Sequence, residues 1–64
     1  MNEQIQEINK AIRLQISDLT LKRDALSLSV EYMDMDNKDE AYKDAIEMIS
    51  QLNQAISSLN KALQ

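Results

Sequence analysis

Two apolar rows run through the first half of this 64-residue chain, and they point in opposite directions. Leu14, Leu21, Leu28 and Met35 stand seven residues apart. Ile5, Ile8, Ile12, Ile16, Leu19, Leu26, Val30 and Met33 make the other row. At about 100° per residue the rows fall on nearly opposite sides of one long helix. A helix that is apolar on two sides cannot hide both against a single neighbour. The remaining sequence has room for one more helix, so one stripe is left for another copy or another protein.

The residues that are missing support this reading. Gly and Pro are both absent, so long helices meet no strong breaker and turns fall to Asn, Asp and Ser. The first helix is expected from about residue 3 to 35, with a polar stripe of Asn9, Arg13, Ser17, Thr20, Asp24, Ser27 and Glu31 as its exposed face. Ile5, Ile8, Ile12, Ile16 and Leu19 step 3-4-4-3, a stutter that locally relaxes a coiled-coil seam. Arg23 interrupts the same row between Leu19 and Leu26, either lying along the surface or marking register.

The turn is expected at about 36–38, with Asn37 suited to a left-handed conformation and Asp36 or Asn37 suited to cap the next helix. The second helix then covers about residues 39 to 63. Tyr42, Ala45, Ile49, Leu52, Ile56, Leu59 and Leu63 follow an unbroken 3-4 pattern, with Ala41, Met48, Ala55 and Ala62 widening one flank. Lys43, Glu47, Ser50, Gln54, Ser57 and Lys61 lie opposite. The fold class is therefore all-α, a single two-helix antiparallel hairpin of coiled-coil type, assembling into a bundle as a homo-oligomer or with a partner protein. The rival is a strand over residues 26–32, where apolar and polar residues alternate. Two opposed stripes on a helix imitate that alternation, because residues two apart point about 200° apart.

At about 1.5 Å per residue the helices span about 50 Å and 38 Å, so the second reaches back only to about Lys10. Ile5 and Ile8 are left projecting, a docking point or an oligomer contact. The candidate partner interface is thus Ile5, Ile8, Leu14, Leu21, Leu28 and Met35.

Chains this short usually need a disulfide, a metal or oligomerisation for stability. Cys and His are both absent, which removes disulfides, thiolate chemistry and the usual zinc ligands. Oligomerisation is the support that remains. No cofactor and no metal site are expected. Asp34-x-Asp36 resembles the start of a calcium loop, but Lys38, Asp39 and Ala45 occupy the positions that require a ligand, Gly and Glu. No serine has a histidine to activate it, and a narrow hairpin offers little room for a pocket that would split carboxylate pKa values. No enzyme is expected.

Net charge is −4, and residues 31–47 hold seven carboxylates against Lys38 and Lys43. An acidic middle disfavours phosphate backbones and a basic membrane-surface helix alike, so neither nucleic acid nor membrane is an expected partner. Glu3, Gln4, Gln6 and Glu7 interleave the first apolar residues, unlike a signal peptide, and no segment approaches the length of a membrane span. A cytoplasmic location is expected. The near-uncharged stretch from Ser50 to Asn60 carries amides and hydroxyls that can bond across an interface more cheaply than charges.

A protein-interaction role follows: an inhibitor, adaptor or co-chaperone that lays an apolar helix face on a partner, with a purely structural oligomer as the alternative. Tyr42 early in the second helix and the run Ala45-Ile46-Glu47-Met48-Ile49 resemble the small hairpin co-chaperones of type III secretion needle subunits, over about the last 45 residues. That resemblance implies a needle protein held jointly with a larger helical-repeat partner; the long start of the first helix lies outside the pattern. Phage-encoded inhibitors of host proteins share the same small, helical, acidic profile.

Overall fold

The computed structural model describes residues 2–33 and 40–64. Helix α1 runs Asn2–Glu31 and helix α2 runs Glu40–Ala62. With no breaker inside either segment, each helix is continuous, and no strand occurs among the described residues. Residues 26–31 are helical, so the alternation there belongs to a helix with two apolar stripes.

The two helices pack antiparallel along their length. Asn9 of α1 meets Gln64 just past α2, and Arg23 of α1 meets Asn53 of α2. The hairpin is narrow, 55 Å by 15 Å by 11 Å. Its radius of gyration is 15.5 Å, against about 11 Å for a compact chain of this length.

Helix α1 ends earlier than its apolar pattern suggests. The amides of Tyr32 and Met33 donate to the carbonyls of Ser29 and Val30, at 3.2 Å and 3.0 Å. These bonds span three residues and tighten the last turn. The helix carries no basic residue in that turn, and Glu31 sits at the negative end of the dipole. Helix α2 has the favourable arrangement, with Glu40 in its first turn and Lys61 in its last. The expected turn at 36–38, its Asn37 and its capping residues lie outside the described residues, as do Asp34 and Met35.

The seam is built from the row that contains Ile12, Ile16, Leu19, Leu26 and Val30 on α1. Opposite them Tyr42, Ala45, Ile49, Leu52, Ile56, Leu59 and Leu63 are all at least half-buried. Two helices can shield their contact line from two directions only. Ala45 is accordingly the one buried apolar residue among those described, and no large side chain is fully buried.

The expected polar stripe of α1 needs correcting. Arg13, Ser17, Asp24 and Glu31 are exposed, but Asn9 is buried and Thr20 and Ser27 are half-buried. Asn9 stands four residues after Ile5 and three before Ile12, so it shares the seam row's spacing. Its side chain is accepted there because both ends of its amide are bonded.

Candidate docking face

Leu14, Leu21 and Leu28 point away from α2. They are 63%, 70% and 53% exposed. Seven-residue spacing keeps them in one line, and their angular offset of nearly half a turn from the Ile12/Ile16 row puts that line on the outer side of α1. With α2 occupying the opposite side, no described element can reach it. The face is an open, nearly straight ridge about 21 Å long from Leu14 to Leu28.

Ile5 and Ile8 are less open, at 42% and 50%. They belong to the seam row but precede Asn9, which is level with Gln64, just past the end of α2 at Ala62. Their exposure thus has a different cause, the end of α2. The structure does not bring these two together with the leucine row into one surface, since they lie on different sides of the helix.

Three further apolar residues, outside both candidate groups, are exposed. Tyr32 is the most open of all, at 84%. It follows Leu28 by four residues, the spacing that would have assigned it to the leucine row. Met48, on the flank it shares with Ala41, Ala55 and Ala62, is 53% exposed; Ile46, on the other flank, is 44% exposed. Met48 edges an apolar depression on one side of the hairpin, formed with Ala25, Leu26, Ser29 and Leu52.

The other side of the hairpin is polar. Arg23 bridges to the side-chain oxygen of Asn53 at 3.1 Å while holding Asp24 at 3.0 Å. Arg23 therefore does both things its position allows: it lies along the surface and it ties one helix to the other. In the near-uncharged stretch of α2, Asn53 makes this contact, Asn60 bonds back to its own helix at Ile56, and Ser50, Gln54 and Ser57 stand exposed. The ion pair between Lys22 and Asp18, 3.0 Å long, lies wholly on the surface of α1.

Among the described residues, no helix is long and apolar enough to cross a membrane. The described carboxylates of α2, Glu40, Asp44 and Glu47, are all exposed. Compared with family models, with curated proteins and with solved structures, the chain matches none.

Proposed function

We propose that this chain is a non-enzymatic protein-interaction module that works in a reducing, cytoplasmic compartment and acts by docking the outer face of α1 on a protein partner. The supporting observation is the exposure of Leu14, Leu21 and Leu28 in one line on the side of α1 remote from α2. Full burial of a leucine is worth about 1.5–3 kcal/mol, so covering the exposed fractions of the three supplies about 3–6 kcal/mol before the costs of association. No other described element draws on that energy. An amphipathic helix laid against an apolar surface is a common way for small proteins to block, bridge or chaperone a partner. Which of these the chain does is set by the partner it covers.

A second reading, a structural oligomer that grows end to end, draws support from Ile5 and Ile8 projecting beyond Asn9. One experiment separates the two. The purified chain is immobilised as bait in extract of its native host, alongside Leu21→Glu and Lys43→Glu. A docking module retains the same protein on the wild type and on Lys43→Glu and loses it on Leu21→Glu. Equal capture by all three contradicts the docking reading, and open-ended growth of the bait that survives Leu21→Glu favours the structural one.

A further inference from the structure

We propose that the partner of the Leu14/Leu21/Leu28 face is the same face of a second copy, with the two α1 helices antiparallel about a two-fold axis at Leu21. This rests on the reading of that face as a docking surface and names its occupant. The row is symmetric about its own midpoint, because Leu14 and Leu28 each stand seven residues from Leu21. A two-fold axis there sets each Leu14 beside Leu28 of the other copy and Leu21 beside its twin. That is the self-complementarity an isologous contact requires.

Charge decides the direction. Lys10 stands four residues before Leu14, and Glu31 stands three after Leu28, on the same flank of the row. Antiparallel pairing brings Lys10 of each copy to the level of Glu31 of the other. On the opposite flank Asp18 and Lys22 are already paired at 3.0 Å, both 63% exposed. The axis sets each Lys22 close to Asp18 of the other copy and closes a ring of four alternating charges. Parallel pairing would instead set each flank against the opposite one, so that Lys10 would face Ala11 and Gln15 of the other copy and Glu31 would face Ser29 and Tyr32, with no opposite charge to meet.

The ends of the hairpin argue for the same direction. At one end, among the described residues, Glu31, Glu40, Asp44 and Glu47 stand against Lys43, a net −3. At the other, Glu3 and Glu7 stand against Lys10, Arg13 and Lys61, a net +1. The antiparallel arrangement lays each acidic end beside the other copy's opposite end. The contact runs from Lys10 to Tyr32, about 33 Å, and is one helix wide, at the small end of specific interfaces. A hairpin with Ala45 as the one buried apolar residue among those described is the kind of short chain that gains from association.

The test uses the full chain, which has no cysteine of its own. Lys10→Cys and Glu31→Cys are mixed and treated with a short bismaleimide. The expected product is the mixed dimer, in excess over either homodimer. Sedimentation equilibrium should show the wild type rising from 7.3 kDa toward twice that mass with concentration, and Leu21→Glu staying at 7.3 kDa with its helicity kept. Lys10→Glu should weaken pairing about tenfold, and adding Glu31→Lys should restore it. Homodimers of Lys10→Cys in excess, or a wild type monomeric throughout, overturn the self-pair. In the monomeric case, binding of the apolar dye ANS that Leu21→Glu abolishes keeps the docking face and removes only this partner. A monomer that binds no dye removes both.

Discussion

Asn9 holds the backbone of Gln64 with both ends of its side-chain amide. Its oxygen accepts the Gln64 N–H at 2.9 Å, and its nitrogen donates to the Gln64 carbonyl at 3.3 Å. The pair imitates a backbone ladder and fixes where the chain after α2 lies along α1. It also explains a polar side chain on the seam row: the two bonds offset the desolvation of the amide.

Asn9→Ala removes both bonds and strands the Gln64 groups in a partly buried place. The expected cost is about 1–2 kcal/mol, read from urea unfolding, together with faster hydrogen exchange at the Gln64 amide. Unchanged exchange at Gln64 would show that this contact does not hold in solution.

Arg23 occupies a seam position between Leu19 and Leu26, with its side chain 32% exposed. Its bonds to Asn53 and Asp24 are solvent-accessible and contribute little net energy. Arg23→Leu completes the apolar row, so stability should hold or rise by up to about 1 kcal/mol. A loss of more than about 1 kcal/mol in a denaturant melt would mean that the Arg23–Asn53 tie outweighs packing.

Three glutamate substitutions sort the surfaces. Leu52→Glu places a carboxylate in the seam and should cost several kcal/mol, collapsing the helical circular dichroism signal. Leu21→Glu should keep the dilute hairpin helical and abolish association. Lys43→Glu, on the solvated side of α2, should shift stability by no more than about 0.5 kcal/mol. If Leu21→Glu keeps both the wild-type mass and the wild-type helicity, the leucine row is not an interface, and Ile5 and Ile8 become the outward candidates.

Much of the fold was legible because helix formation here is decided by what is missing. Without Gly or Pro, two 3.6-period segments have little choice, and every residue of the Tyr42-to-Leu63 row is covered as its spacing predicts. The apolar periodicity of α1 continues through Met35, whereas the described helix ends at Glu31, where its last turn has no basic residue to complement the dipole. Asn9 reads as exposed by residue type, but its place among Ile5, Ile12 and Ile16 turns it inward. Angle alone puts the two rows on opposite sides of α1 without saying which faces α2; the structure turns Leu14, Leu21 and Leu28 outward. What covers them does not follow from angle, since a surface leucine row reads the same for a second copy and for any other protein.

The most direct test is the dependence of the thermal midpoint on concentration, for the wild type and for the triple variant Leu14→Gln/Leu21→Gln/Leu28→Gln. Association through this face stabilises the folded chain by mass action, so the wild-type midpoint should climb by several degrees over a hundredfold rise in concentration. The triple variant should melt where the most dilute wild type melts, and its midpoint should stay there. A wild-type midpoint that does not move, or a triple variant that is already unfolded when dilute, would contradict the assignment of this face as an interface held outside the hairpin's own fold.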